Sequence, residues 1–236
     1  MKTIIHKAES RGHANHGWLN SYHSFSFGSY HDPSRVHFGM LRVLNDDVVK
    51  GGMGFGQHPH DNMEIISIPL KGALEHGDNT GGHGFIKSGE VQIMSAGSGI
   101  THSEKNASKT EEVNFLQVWV FPKERNIQPR YDQKEFKAEE RVNKFQTAVS
   151  PEKESKALWI NQDAWFQLGN LKKGTITDYK INRKGNGVYA FVIDGEVTIN
   201  NQKLNKRDGF GVWDTDKLSI VAENDSEVLL MDVPMN

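Results

Sequence analysis

Two short stretches carry side chains that can bind a metal. One is Gly52-Met-Gly-Phe-Gly-Gln-His58-Pro-His60-Asp-Asn-Met-Glu64, and the other is Gly97-Ser-Gly-Ile-Thr-His102-Ser-Glu104. Residues i and i+2 of a β-strand point to the same face. His58 and His60 therefore project together, as do His102 and Glu104. Three imidazoles and a carboxylate suit a divalent transition metal, and they leave one or two positions open for a substrate and dioxygen. Pro59 donates no ladder hydrogen bond, so it fits an edge or rim position. A lone His-x-His is usually incidental. Two same-face pairs, each beside a glycine-rich turn, are much harder to dismiss.

The rest of the chain narrows the chemistry. All 11 histidines fall within the first 102 of 236 residues, so imidazole chemistry belongs to the first half. There is no cysteine, which removes disulfides, thiol catalysis, Cys-ligated zinc and iron–sulfur clusters. The 28 basic and 30 acidic residues leave a net charge of −2, without the basic excess of a nucleic-acid binder. No apolar run approaches the roughly 20 residues of a membrane span. Lys2 and Lys7 bracket a start too short for a secretory core, so the expected location is cytoplasmic.

Positioning the two pairs requires strands. Phe38–Leu44, Met63–Leu70, Glu90–Met94 and Phe115–Phe121 are short, β-rich segments separated by Gly, Asn, Asp and Pro. Glycine then disappears between Gly99 and Gly169, and residues 123–157 carry 16 charged side chains in 35 positions. This segment reads as a connector, with a short exposed helix over Gln133–Val142 and a domain boundary inside it. Strand signals resume at Val188–Ile193, followed by the hairpin signal Asp194-Gly195 and then Glu196–Ile199. Leu218–Ala222 and Val228–Val233 complete the pattern. The strand–glycine–strand unit around Gly72 is echoed around Gly195, which suggests tandem duplication. The expected fold is all-β, with antiparallel domains at 1–136 and 137–236.

The spacing Gly52, His58-x-His60, Glu64, Gly72 resembles the first cupin motif, and Gly89, Gly97-x-Gly99, His102, Asn106 the second. The second departs from the general pattern: Ser95 stands where proline is usual, and His102 lies two residues late. Ala96-Gly-x-Gly-Ile-x-His102-x-Glu104 is instead similar to the pirin family of bicupins. So are Ser24-Phe-Ser-Phe27, Asp32-Pro33 and Leu41-Arg-Val-Leu44-Asn-Asp. The resemblance implies two jelly-roll-like barrels with one metal in the first, held by His58, His60, His102 and Glu104. Glu64 is the metal carboxylate of many other cupins and is the rival to Glu104. In the second half the template positions fall on Ile181 and Arg183, so that barrel lacks the ligands and is assigned a structural role.

Bacterial pirin-like proteins are known for quercetin 2,3-dioxygenase activity. The resemblance therefore implies a flavonol dioxygenase that releases carbon monoxide, with Glu104, or alternatively Glu64, as the carboxylate accepting the substrate proton. Iron(II) is the expected ion; manganese, nickel, cobalt, copper and zinc also suit the ligands. The implied partners are a small aromatic substrate and dioxygen, with no nucleic acid, no membrane and a monomeric chain; no protein partner can be read from the sequence. An alternative from the same family is an iron-binding, redox-sensing regulator without turnover. A sugar-phosphate isomerase is a third reading, but it wants a basic cluster and only Lys71, Lys87 and Lys105 are at hand. His76 and His83 flank a loop and could line a pocket rim. His13, His16, His23, His31 and His37 read as surface or structural residues, and the aromatic run Tyr22–Phe27 as packing.

Overall fold

Strand alternation sorts the side chains of this chain into three interiors. The computed structural model describes residues 1–236. It contains two units, each a seven-stranded sheet facing a four-stranded one. In the first unit the large sheet runs Arg130–Glu135, Glu90–Ser95, Glu64–Lys71, Val113–Val120, Leu41–Val49, Leu19–His23, Gly12–Asn15. Its small sheet runs Gly54–His60, Ile100–Asn106, Ala73–Asp78, His83–Lys87. The second unit has Lys2–His6, Gly209–Trp213, Asn186–Asp194, Ser226–Pro234, Trp165–Leu171, Phe145–Ser150, Leu158–Trp159 over Ile176–Lys180, Lys217–Ala222, Glu196–Ile199, Gln202–Asn205. Neither pair of sheets closes into a full barrel, but the bicupin architecture is as expected. The only helices are two short 3₁₀ turns, so none is long or apolar enough to cross a membrane.

The two units repeat one topology, and Gly72 and Gly195 occupy equivalent turns between the large and small sheets. Both adopt φ near +80° (78° and 82°), where a side chain would be strained. The edge strands break the sequential order. Lys2–His6 pairs with Gly209–Trp213, so the chain's first strand belongs to the second unit. The expected first unit of residues 1–136 therefore does not keep its own N-terminus, because the open edge of the second large sheet takes it up. Arg130–Glu135 pairs with Glu90–Ser95. The helix expected over Gln133–Val142 is replaced by this edge strand and a 3₁₀ turn at Ala138–Arg141. Backbone hydrogen bonds to a free sheet edge outweigh the helical propensity of exposed charged residues.

The largest apolar cluster lies between the units. Leu44, Ile66, Ile93, Leu116 and Val118 of the first large sheet meet Phe166, Leu168, Tyr189, Phe191 and Leu229 of the second in a cluster of 25 buried residues. A separate cluster of 16 fills the second unit, including Val188, Ala190, Val197, Ile220 and the template position Ile181. The interior of the first unit is different. Leu19, Val49, Leu74, Ile86, Val113 and Phe115 close one end of it. Beyond them the inward positions turn polar, with Ser67, Gln92, His102, Glu104 and Gln117 all buried, before a small apolar cluster of Ile65, Met94, Ala96 and Ile100. The expected strand Phe38–Leu44 proves to be Leu41–Val49 and includes Asn45-Asp46-Asp47. Those β-poor residues stay extended because each has a definite face to serve.

Two outcomes follow from this packing. Phe191→Ala should cost about 3–5 kcal/mol, and both units should unfold in one calorimetric transition; two separable transitions would contradict a shared core. His6 is buried, with its Nδ1 2.8 Å from the Tyr189 hydroxyl, and burial lowers its pKa from 6.5 to about 4. The unfolded chain protonates His6 below about pH 6.5 and the folded one only near 4. Stability is therefore lost as pH falls through that window. His6→Gln should flatten the Tm-versus-pH slope there.

Candidate metal centre

The small sheet of the first unit brings the two chelating pairs together. Gly54–His60 is its edge strand, which accommodates Pro59. His58 lies directly opposite His102, and a β-bulge between His102 and Glu104 shifts the register so that Glu104 opposes Phe55. Bulges re-aim side chains at the rims of β-barrels. Gly97 shapes the turn that delivers this strand. Its φ is +49°, and a Cβ there would lie 2.1 Å from the Ile127 carbonyl oxygen.

His58, His60 and His102 form a triangle with ring centroids 4.8 Å (His58–His60), 4.4 Å (His58–His102) and 5.0 Å (His60–His102) apart. One ring nitrogen from each lies within 4.8 Å of the others, and the same holds for one ring nitrogen each of His76 and His102 and a carboxylate oxygen of Glu104. His58 Nδ1 is 2.8 Å from the Gly56 carbonyl oxygen, which fixes its ring and leaves Nε2 free. His102 is fully buried, and neither of its ring nitrogens has a hydrogen-bond partner. Burial, then the neighbouring imidazoles, lowers His60 to about 4 and His102 to about 3. Both are thus neutral lone-pair donors at pH 7. Orphaned buried nitrogens are costly, and a metal ion removes the cost. The residues present fit a divalent transition metal.

The carboxylates are sorted by strand face. Glu104 is buried: Ser67 Oγ lies 2.8 Å from its Oε1, and Gln117 Nε2 donates to its Oε2 at 2.7 Å. Glu64 points the other way, toward the second unit. Its Oε2 accepts from Ser95 Oγ at 2.8 Å and from the Asn161 backbone N–H at 3.2 Å. Its neighbours Ile66 and Ile68 belong to the inter-unit core. Glu64 is therefore an interface residue, remote from the histidine triangle by orientation.

His76 is closer to the centre than a rim residue would be. It is fully buried, with its ring centroid 5.4 Å from that of His102 and stacked on Tyr131 at 4.4 Å. Its Nε2 pairs with Asp78 Oδ2 at 2.8 Å, leaving Nδ1 without a partner. His83 is exposed and meets only Glu75 at 3.3 Å.

Beside the histidines opens a cavity of about 470 Å³. Phe27, Phe55 and Trp119 give it aromatic walls, and Ser21, His23, Asn45 and Asp47 give it a polar one. Trp119 stacks edge-on against both Phe27 and His60. The aromatic run expected only to pack divides by alternation: Phe25 enters the inter-unit core and Phe27 the cavity wall. His23, expected to be a surface or structural residue, is buried and hydrogen-bonded to Ser21 in the same wall. Sequence reasoning passed over Ser21, Asn45, Asp47, Ser67 and Gln117. Their signal was polar residues at alternate positions of segments that otherwise read as strands.

Comparison with known proteins agrees with this geometry. The profile of the pirin family matches residues 5–120, and that of the quercetinase C-terminal cupin domain matches residues 147–233. The quercetin 2,3-dioxygenase of Escherichia coli strain K12 is 45% identical over 98% of each chain. The chain belongs to the pirin family. A pirin-like protein of Caulobacter vibrioides is 41% identical over 94% of this chain and 95% of its own. The crystal structure of the bacterial pirin YhhW from E. coli in complex with nickel(II) superimposes with a TM-score of 0.93 at 44% identity, covering 99% of both chains. The second-unit match extends a resemblance that residue patterns alone carried only in the first half of this pirin.

His102→Leu provides a test of the centre. In metal-free protein the substitution should raise stability by about 1–3 kcal/mol by deleting two unpaired buried nitrogens. Added divalent ion should raise the Tm of wild type and leave that of the variant unchanged.

Proposed function

We propose that this pirin is a metal-dependent dioxygenase that cleaves a flavonol such as quercetin and releases carbon monoxide. The observation that carries this reading is His102: two unpartnered, buried ring nitrogens stand among further imidazoles and a carboxylate, beside an aromatic-walled cavity. A volume of about 470 Å³ lies in the range of small-molecule sites. The activity named for the E. coli relative uses a substrate of that size and aromatic character.

His58, His60 and His102 would hold the ion through neutral imidazoles, with Glu104 as the fourth ligand. The ion supplies Lewis acidity toward the substrate hydroxyl and redox access to dioxygen. Phe27, Phe55 and Trp119 would hold the flat ring system between them and exclude water from the reacting edge. Gln117 and Ser67 fix the Glu104 carboxylate in one orientation. Overall, one flavonol takes up one dioxygen and loses one carbon monoxide, so both oxygen atoms are retained among the products. The substrate's hydroxyl proton must go to a base. Glu104, whose two oxygens each accept one hydrogen bond and keep a further lone pair, is one candidate.

Oxygen uptake with quercetin tests the reading, using protein stripped of metal and reloaded anaerobically with one ion at a time. Iron(II) is the first ion to try, and nickel(II) is the ion held by the E. coli pirin. One ion per chain should bind and support uptake. His58→Ala and Glu104→Gln should lose both ion and uptake, while Glu64→Gln should retain both. No uptake with any ion, while one ion per chain still binds, would overturn the enzymatic reading.

A further inference from the structure

The polar wall of the cavity holds a second set of groups that the metal centre does not use. Ser21 and Asp47 are direct cross-strand neighbours, as are His23 and Asn45. All four side chains are buried and face the cavity. Ser21 Oγ donates to Asp47 Oδ1, and His23 Nε2 lies 2.8 Å from Ser21 Oγ. The other carboxylate oxygen of Asp47 accepts no hydrogen bond from the protein. His23 Nδ1 and Asn45 Oδ1 are buried without partners. One wall of an aromatic pocket thus presents two buried, unpartnered acceptors beside the open carboxylate oxygen of Asp47. Buried acceptors are rarely left unpaired, so a hydroxyl-rich ligand is the chemistry that completes this wall.

Asp46 and Asp47 form an instructive pair. Strand alternation sends Asp46 to the inter-unit seam, where Arg11 Nη1 and Arg207 Nε approach it at 3.2 and 3.1 Å. Asp47 turns into the cavity, where no lysine or arginine is among the lining residues. The ionisable groups around it are Glu104, His58 and His60 from the small sheet, His23 from the adjacent strand, His16 at the cavity wall, and Asp46 beside it on the other face. A carboxylate buried without a cation is a strong proton acceptor.

We propose that Asp47, oriented by Ser21 and His23, binds a hydroxyl of the aromatic substrate and takes its proton when the substrate is seated against the histidine cluster. This rests on the dioxygenase reading and adds the base to it. The substrate O–H bond breaks, its electron pair stays on the substrate oxygen, and a new O–H bond forms on the free oxygen of Asp47. Oδ1 keeps its hydrogen bond with Ser21 throughout. Asn45 and His23 offer acceptors to further hydroxyls, so the wall favours polyphenols over singly hydroxylated rings. Burial, reinforced by Asp46 and Glu104 and opposed by the Ser21 hydrogen bond, raises Asp47 to about 7, consistent with such a role.

The test uses anaerobic binding of quercetin to metal-loaded protein, followed by absorbance, since the flavonol anion absorbs at longer wavelength than the neutral form. Wild type should bind the anion at neutral pH. Asp47→Asn should keep one ion per chain and an unchanged circular dichroism spectrum, yet bind quercetin mainly in the neutral form, with anion formation displaced to higher pH. Its kcat should fall by about 10²-fold or more. Ser21→Ala, which leaves the carboxyl in place but unoriented, should show the same displacement to a smaller extent. Wild-type spectra and pH profiles in both variants would overturn the proposal, as would failure of wild type itself to bind the anion. The binding readout needs no turnover. Absence of oxygen uptake alone therefore counts against the dioxygenase reading and leaves the assignment of Asp47 to be decided by the spectra.

Discussion

The apolar seam between the two seven-stranded sheets is the constraint on which the rest of the molecule depends. Twenty-five buried residues meet there. Apolar burial of that extent is the main source of stability for a domain of this size. Because the seam and the second unit's own core carry this load, the inner face of the first large sheet can turn polar over much of its area. The first unit can then hold unpartnered nitrogens and uncompensated carboxyls in its interior. The second unit, with its packed interior, acts as the support against which the first unit's sheet is stiffened. A metal centre needs such stiffness, since imidazoles must be held in place before the ion arrives.

Strand alternation is the device that separates the two tasks. Successive residues of a single strand serve opposite masters: Ile65 and Ser67 face into the first unit while Glu64, Ile66 and Ile68 face the seam. Asp46 and Asp47 divide in the same way. The carboxylate opposite two arginines is a structural ion pair. Its immediate neighbour, deprived of any cation, is left as a chemical group. No change of residue type separates the two, only a step of one along the backbone.

Alternation also explains what could be read from the chain. His58-x-His60 and His102-x-Glu104 were legible because the i, i+2 rule needs only the assumption of a strand, and glycine-rich turns on both sides made that assumption safe. The rivalry between Glu64 and Glu104 could not be settled by spacing, since it turns on which face each residue presents. The polar stretch Asn45-Asp46-Asp47 looked like the end of a strand because propensity measures a typical half-apolar surface, and here one face meets a polar cavity. Gln133–Val142 looked helical for a related reason: the exposed edge strand Arg130–Glu135 that takes up its start carries charges just as an exposed helix does. The partner of Lys2–His6 was beyond local reasoning, because pairing across some 200 residues leaves no nearby trace. The second unit's kinship was equally faint, since the chemistry that would mark it is absent from its interior.

That long-range pairing has a consequence for the order in which the protein is built. The strand Gly209–Trp213, which receives Lys2–His6, is synthesised some 200 residues after it. At roughly 5–20 residues per second, the N-terminal segment waits about ten seconds or longer for its place. During that interval the outer face of the first large sheet, with Leu44, Ile66, Ile93, Leu116 and Val118, lacks the surface it is shaped to meet. The nascent first unit is thus a half-sandwich with a sticky side, and the strands of the second unit both cover it and fasten Lys2–His6 down. Completion of the second unit, rather than of the metal-binding half alone, is what yields a finished fold.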